Sequence, residues 1–183
     1  MTVKEVLTAA AFELGMADEV QAYLDGSSQT GEADTENLLR CFNLVENELA
    51  LEYLPLFAEE EVVTDTGVVF FSELSRSAVR IVRVTDAWGN ETAFKLCPEY
   101  LKTQPGKVKI GYTYTPQEKG LDGESDFTRF VSVRLFAYGI AAEYSLASGM
   151  FEEAAVWDKK YKDAIATAYR AKPRGKIKSR RWV

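Results

Sequence analysis

One stretch of the chain limits its possible folds more than any other part. Residues 127–147, FTRFVSVRLFAYGIAAEYSLA, contain only three charged side chains, those of Arg129, Arg134 and Glu143. A helix that is apolar nearly all round has to be covered by protein on most of its surface. We therefore expect this segment to be the central, buried helix, with Phe136 in the core beside Ile140.

Helical spacing of apolar residues recurs in four other segments. The first opens with Thr2 and Glu5, which fit a capping box, and stops at Gly15. The third is ended by Pro55, because proline disfavours helical geometry in the residue before it. The predicted helices are residues 3–14, a short helix ending at Gly26, residues 35–53 and, as an antiparallel partner of the buried helix, residues 150–171.

Between the third helix and the buried helix, the apolar period changes to two, which is typical of strands. Residues 107–114 alternate cleanly, with one face made of Val108, Ile110, Tyr112 and Tyr114. Asp65-Thr66-Gly67 and residues 86–90 (DAWGN) are turn signals, and each predicts a hairpin between the short apolar runs that flank it. We expect residues 61–116 to form a small, mostly antiparallel β unit inserted between helices.

These patterns predict an α+β fold, in which an α-helical bundle of about four main helices carries the inserted β unit. A chain of 183 residues is long enough for one core of this kind. We expect residues 1–171 to form a single domain. Pro173 prevents the last helix from continuing, so residues 172–183 are expected to form a flexible basic C-terminal arm.

The sequence contains no histidine, which restricts its chemistry. Histidine is the commonest general base at neutral pH, and both Ser-His-Asp and Cys-His catalysis require it. Cys41 and Cys97 are too isolated to indicate a disulfide framework or a zinc site. Three adjacent carboxylates, Glu59–Glu61, are interpreted as solvated charge. No apolar run reaches the ~18 residues of a membrane span. We expect no enzymatic activity, no cofactor, no metal and no membrane partner.

Two short acidic motifs are similar to catalytic or metal-binding patterns, but their context favours other roles. Asp65–Gly67 is the triplet of aspartic proteases, which need two aspartates sharing one proton, and the sequence contains no second DTG or DSG. Residues 121–126, LDGESD, suggest a calcium loop, but the twelfth position is Val133 and not glutamate. We interpret the first motif as a turn and the second as a solvated loop, with Ser125 or Asp126 capping the buried helix.

The last twelve residues, KPRGKIKSRRWV, contrast in charge with the rest of the protein. The chain has a net charge of −6, yet its last fourteen residues contain seven basic residues and no acidic one. Without those seven, 15 basic residues stand against 28 acidic ones, a net charge of −13. Such a body repels phosphates, which argues against a nucleic-acid module. The tail is either a solubilising end or a segment that docks on a protein partner, with Trp182 as its anchor.

The order of the elements and one long segment together resemble the head–tail adaptor (head-completion, or connector) proteins of tailed bacteriophages. The segment is residues 138–165, YGIAAEYSLASGMFEEAAVWDKKYKDAI, in which an alanine-rich helix, a Ser-Gly break and an acidic, aromatic helix follow one another. The positions that stand close to the family pattern are Glu153, Ala155, Trp157 and Tyr161. VLTAAAFELG near the N-terminus and VKIGYTYTP before the acidic loop also fit.

The resemblance implies a structural protein of the virion neck, made in the cytoplasm of a bacterial host. Twelve copies would form a ring beneath the portal protein, with tail or neck proteins on the other side. DNA would pass through the ring without sequence-specific binding. The arm would dock on the portal through Arg174, Lys176, Lys178, Arg180, Arg181 and Trp182.

A second interpretation stays open beside the first. The chain would then be a non-enzymatic regulatory module, of phage or host, whose β unit binds a peptide or a small ligand. Genes for a portal, a capsid protein and a tail protein next to this one would favour the adaptor, whereas an isolated gene would favour the regulatory module.

Overall fold

The computed structural model describes residues 1–127 and 131–171. The predicted arm, residues 172–183, lies outside the described residues, and so do all six of its candidate contact residues. The described helices are α1 (Val3–Leu14), α2 (Ala17–Leu24), α3 (Glu32–Glu48), α4 (Val133–Ala147) and α5 (Phe151–Ala171). The described strands are β1 (Leu56–Thr64), β2 (Val68–Phe70), β3 (Ala78–Asp86), β4 (Lys95–Leu96), β5 (Tyr100–Lys102) and β6 (Gly106–Tyr114). The predicted α+β class is confirmed.

The start of the chain folds as its local signals predict. Thr2 caps α1, and its hydroxyl oxygen accepts a hydrogen bond from the Glu5 backbone N–H at 3.2 Å. Gly15 ends the helix in the left-handed conformation, with φ at 76°. Glycine adopts this conformation without the steric cost that a Cβ atom would add.

Helix α3 begins three residues before the predicted start, and its last turn is not α-helical. Its α-helical part stops at Glu48, and one π-helical turn, Leu49–Tyr53, continues it toward Pro55. The predicted end at Tyr53 therefore holds for the helical stretch as a whole, but its last turn is wider than an α-helix.

The buried helix α4 begins at Val133, six residues later than predicted. Ser132 is its cap, and its hydroxyl accepts from the Leu135 backbone N–H at 3.2 Å. The predicted cap Ser125 instead donates its hydroxyl to a buried carboxylate of α3. The burial of Phe136 and Ile140 is confirmed, since both are 0% exposed.

Strand β6 is the centre of the β unit, and its predicted alternation is confirmed. Its inner face is buried and consists of Val108, Ile110, Tyr112 and Tyr114. It pairs antiparallel with β1 on one side and with β3 on the other, so neither neighbour is the strand that precedes it in the sequence.

The first predicted hairpin is wrong in its pairing, and the second is confirmed only next to its turn. Strands β1 and β2 flank the turn at Asp65–Gly67 but belong to different sheets, since β2 pairs with β5 and β5 with β4. Strands β1 and β2 thus pair with distant strands, β6 and β5, in place of each other. At the second turn, β3 does pair with the chain that follows, through the Thr85–Glu91 bridge and a hydrogen bond from the Thr92 N–H to the Val84 carbonyl at 2.9 Å. The end of the predicted return strand, β4, pairs with β5 instead.

Two separate hydrophobic clusters hold these elements together. The helical core gathers the inner faces of α1, α3, α4 and α5, with Phe42 stacked on Phe136 at 5.2 Å between ring centroids. The β core lies between the two sheets and includes Val69, Leu101 and Ile110.

Candidate partner-binding surfaces

The hairpin of α4 and α5 carries the residues of the family resemblance and packs closely against α3. A Cβ atom on Gly139 would lie 2.8 Å from Val45 Cγ1 and 2.9 Å from Tyr161 Cε2, so only glycine allows the three helices to meet here. Tyr161 is buried and donates its hydroxyl to Glu48 at 3.2 Å. Burial, together with the nearby carboxylates, raises the pKa of Tyr161, which keeps it neutral as a link between α5 and α3.

The other residues of the resemblance lie nearer the surface of the hairpin. Trp157 stacks on Tyr138 of α4, with ring centroids 5.8 Å apart. The Lys160 ammonium lies 3.8 Å from the centre of the indole. Such cation–π contacts contribute ~0.5–1 kcal/mol at exposed sites. Glu153 and Ala155 are exposed on the same helix. The resemblance therefore rests on one buried tyrosine, one half-buried tryptophan and two surface residues.

A groove of about 490 Å³ lies between the end of α1 and the start of α5. Its apolar lining is made of Leu14, Met16, Met150, Val156 and Trp157. Three carboxylates line it as well, those of Glu13, Glu152 and Glu153. Val156 is 56% exposed and the neighbouring Phe151 69%. Exposed apolar area gathered in one place marks interaction surfaces in soluble proteins, and the acidic lining favours a basic partner.

A further group of carboxylates lies where α3, α4 and α5 meet at the surface. We call Glu48, Glu52, Glu143 and Asp158 the acidic cluster. Burial, reinforced by the other three charges, raises the pKa of Glu48. Lys162 pairs with Asp158 at 2.7 Å and partly offsets the cluster. With four carboxylates and one paired lysine, this junction of three helices is acidic.

The outer face of the β1–β6–β3 sheet carries a ladder of opposite charges. Glu59 pairs with Arg83 of β3 and, at 2.5 Å, with Lys109 of β6. Glu61 pairs with Lys107 at 2.6 Å. The hydrogen bonds from these cations lower the pKa of both carboxyl groups. The face is therefore polar and solvated, as the sequence predicts for Glu59 and Glu61.

Glu60, between these two residues, faces the opposite side of the sheet. Its carboxylate accepts hydrogen bonds from the Ser75 backbone N–H at 3.0 Å and from the Tyr112 hydroxyl. The three adjacent carboxylates therefore do not act as one acidic site.

Near the ladder, the sheet also exposes apolar side chains. A Cβ atom on Gly111 would lie 2.8 Å from Phe57 Cζ, so the Phe57 ring covers the gap that this glycine leaves in β6. Val63, Val79 and Val82 are each more than half exposed. Sheet edges β1 and β3 therefore present apolar and charged groups together.

The sequence predicts a turn at residues 86–90, but the prominence of its tryptophan is a structural finding. Trp88 is 86% exposed. Asp86 holds the turn, because its carboxylate accepts from the backbone N–H groups of Trp88 (2.9 Å) and Asn90 (2.8 Å). Gly89 supplies the positive φ of 86°. A rigid turn thus presents a large ring to solvent. In the sequence, the tryptophan beside a turn glycine was the feature from which this exposure could have been predicted.

The sequence also did not predict a buried carboxylate at the junction of α3 with the loop before α4. Glu46 is 1% exposed, and it accepts from the Ser125 hydroxyl at 2.6 Å and the Asp126 backbone N–H at 2.9 Å. Asp126 in turn binds Arg76 (2.9 Å) and Lys119 (3.1 Å). Burial raises the pKa of Glu46, and its second oxygen, Oε2, has no hydrogen-bond partner among the described residues. The hydrogen bonds of Glu46 and the ion pairs of Asp126 together connect α3, the β unit and the loop.

The carboxylates of the LDGESD loop do not converge. Asp122 pairs with Lys4 at 2.7 Å, Asp126 belongs to the junction just described, and Glu124 forms an isolated bridge with Thr2. Within residues 1–127 and 131–171, no group of three or more Cys, Asp or Glu side chains is arranged to hold a metal ion.

The Asp65–Gly67 triplet forms a tight turn. Asp65 is exposed, and Gly67 has a φ of 74°. A Cβ atom on Gly67 would lie 2.3 Å from the Thr103 carbonyl oxygen, which accounts for the glycine. The Thr64 hydroxyl donates to the Val68 carbonyl at 2.8 Å and closes the turn.

Comparison of the sequence with protein-family models and with curated proteins finds no match. Among the helices of the described part of the chain, none is both long enough and apolar enough to cross a membrane.

Proposed function

We propose that this chain is a structural adaptor of a tailed-phage neck, which forms a twelve-copy ring between the portal and the tail. The observation that supports this most is the α4–α5 hairpin. Its residues resemble the family pattern, it is fixed to α3 through Gly139 and Tyr161, and α5 ends at Ala171, directly before the basic segment. A 21-residue helix is about 31 Å long, so it can present that segment away from the core.

In this proposal, α1, α3, α4 and α5 are the four main helices of a bundle. Residues 1–171 act as one adaptor domain, and residues 172–183 act as the flexible arm that docks on the portal. The docking residues are Arg174, Lys176, Lys178, Arg180, Arg181 and Trp182. A single arm gains little affinity, but twelve arms on one ring bind multivalently.

Contacts between neighbouring copies are proposed to involve the β unit and the exposed faces of α3 and α5. The outer sheet face offers paired charges of both signs, and its edges add Val63 and Val79. A mixed surface of this kind suits contacts that form on a template, because isolated acidic subunits repel one another. Tail or neck proteins bind the opposite side of the ring. DNA passes through it without sequence-specific contacts, and no enzymatic step or cofactor is needed.

Co-sedimentation with the purified portal from the same genome tests the proposal. Deletion of residues 172–183 is expected to abolish binding, and Trp182→Ala to weaken it, because the indole is the desolvated anchor. Lys176→Glu combined with Lys178→Glu should weaken binding most strongly at low salt. The matched control is Lys95→Glu with Lys102→Glu, which makes the same charge change on exposed residues of the β2–β5–β4 sheet, not on the β1–β6–β3 face proposed for the ring contacts. If full-length and truncated protein sediment equally with the portal, the docking role of the arm is contradicted.

One observation favours the second candidate function, a regulatory module that binds a peptide or ligand through its β unit. The rigid, exposed Trp88 is the kind of preorganised aromatic anchor that dominates many interfaces. For this candidate, Trp88→Ala would abolish partner binding while deletion of the arm would leave it unchanged. The adaptor proposal expects the opposite ranking for portal binding.

A further inference from the structure

The groove between α1 and α5 has an apolar lining that is partly open to solvent, which makes it a candidate binding site for another segment or protein. Met150 is 36% and Val156 56% exposed, and the half-buried Trp157 forms part of the lining. These side chains lie next to one another around one concavity, unlike singly scattered surface residues, which need no explanation. The concavity is large enough for one aromatic side chain and its neighbours.

The charges around the groove indicate the chemistry of that occupant. Its lining includes three carboxylates, Glu13, Glu152 and Glu153. The acidic cluster lies beyond it, where α3, α4 and α5 meet, and its Asp158 directly follows Trp157, so that seven carboxylates border the groove and the adjoining surface. Two of the nearby cations are already engaged: Lys160 lies over the Trp157 ring and Lys162 pairs with Asp158. The fitting occupant is basic, with an aromatic anchor.

The chain itself contains such a segment. Residues 172–183 hold six basic residues, no acidic residue and Trp182, and they follow directly on α5. The length of this segment also matches the distance from the end of α5 back to the groove. From Ala171 back to Trp157, α5 extends about 21 Å at ~1.5 Å per residue. Residues 176–182 span about 23–25 Å when extended at ~3.3–3.6 Å per residue. Residues 173–175, Pro-Arg-Gly, are turn formers that can reverse the chain direction between the two.

We propose that, in the unassembled protein, residues 172–183 fold back along α5 of the same chain and dock Trp182 in the groove. The basic residues then lie along the acidic cluster, and the arm covers the apolar lining. This inference does not rest on the proposed function, because the groove can hold the arm whatever the partner of the protein is. If the portal is that partner, groove and portal compete for the same arm, and the groove is uncovered only upon assembly.

The tether makes such docking feasible even when the intrinsic affinity is low. A short linker gives an effective concentration on the order of mM, so an interaction too weak to be seen between separate molecules is populated within one chain. Extra salt weakens it, because its ionic part lies at the surface.

Disulfide trapping in the full-length chain tests the proposal. In a Cys97→Ser background, Glu153→Cys is combined with Val183→Cys, which places one thiol on the groove and the other beside Trp182. Native Cys41 is buried, and burial raises its pKa to about 11, so it does not compete. The expected product under mild oxidation is a monomer with an internal disulfide, seen by its faster migration on a non-reducing gel.

The matched control pairs Val183→Cys with Ala166→Cys, an exposed position on α5 that is closer to the root of the arm. An undocked arm reaches position 166 at least as often as position 153. The proposal predicts that the 153 pair forms its disulfide at least ten times faster, and that Trp182→Ala or 1 M salt removes this advantage.

A second disruption comes from the groove side. Val156→Lys places a cation in the lining at a mostly exposed position, so the fold is expected to stay intact, as circular dichroism can verify. It should slow trapping of the 153 pair as strongly as Trp182→Ala does. Equal rates for the 153 and 166 pairs would overturn the proposal, and so would disulfide-linked dimers as the main product. Loss of portal binding has no bearing on this readout, so the two proposals fail separately.

Discussion

The helical core and the β core are both buried, but they depend on different kinds of information in the sequence. In the helical core, nearby residues set several helix ends: Thr2 caps α1, Gly15 ends it and Ser132 caps α4, while the apolar spacing selects the inner faces. In the β core, the inner face of β6 is equally clear, yet its partners β1 and β3 lie far away along the chain. Local signals therefore define elements, whereas the pairing of strands depends on contacts between distant segments.

The two cores also differ in how well they are enclosed. Helix α4 is covered by α1, α3 and α5, so a cavity there has walls on every side. The β1–β6–β3 sheet is covered on one face, and its other face carries the solvated charge ladder. We expect the helical core to tolerate loss of volume least, and the sheet to relax around a similar loss.

The largest effect is expected from Phe136→Ala in the helical core. Phe136 is fully buried and packs on Phe42 and Phe127, so its removal leaves a cavity that these rings cannot fill. We expect a loss of ~3–5 kcal/mol in the free energy of unfolding, measured in urea. The control is Phe12→Ala, since Phe12 is 74% exposed and should cost no more than ~0.5 kcal/mol. A loss below ~1 kcal/mol for Phe136→Ala would show that α4 is not central.

A smaller loss is expected from Ile110→Ala in the β core. Ile110 is fully buried on β6, but the open sheet can move to reduce the cavity. The expected cost lies at the lower end of the ~2–5 kcal/mol found for such truncations. Lys109→Ala, on the outer face of the same strand, is the control and should be nearly neutral. A cost equal to that of Phe136→Ala would remove the contrast between the two cores.

The junction between the two regions is expected to respond to pH. Because the pKa of Glu46 is raised in the fold, the folded protein binds more protons than the unfolded chain just above the ordinary glutamate pKa. Stability from this group is therefore greatest at low pH and declines as pH rises through the folded pKa. Glu46→Gln keeps an oxygen that accepts from Ser125 and Asp126 but carries no charge, so its melting temperature should decline less between pH 5 and pH 7.

The matched variant at this position is Glu46→Ala. It leaves the Ser125 hydroxyl and the Asp126 N–H without their acceptor and should cost ~1–3 kcal/mol at any pH in that range. Parallel pH profiles of wild type and Glu46→Gln would show that Glu46 does not titrate in this window.

The smallest effect is expected in the charge ladder. Lys109→Ala, Glu59→Ala and the double variant form a cycle whose coupling energy should be close to the error of a urea melt, because the pair is solvated. It should vanish in 1 M salt. A coupling that persists at high salt would mean that the outer face is shielded, for example by a second copy of the chain.

Much of the helical part could be predicted from sequence, since caps, stops and periodicity are local. The late start of α4 could not, because Ser125 is diverted to Glu46, a residue 79 positions earlier in the chain. The π-helical end of α3 likewise had no local signal.

The candidate surfaces were predictable only in part. The charge of the tail was evident in the sequence, but the residues proposed to dock lie outside the described part of the chain. The groove requires Leu14 and Trp157 to be brought together across the fold, which no periodicity reveals. Trp88 was predicted in a turn, and its exposure follows from the way Asp86 organises that turn.

The adaptor proposal is tested most directly by counting copies on the portal. Full-length protein is mixed with purified portal rings, and the complexes are imaged by electron microscopy and weighed by native mass spectrometry. The proposal predicts one added ring of twelve copies on a single face of each portal, with residues 172–183 contacting portal subunits. Portal rings of unchanged mass at saturating protein, under conditions where the protein is folded, would contradict it.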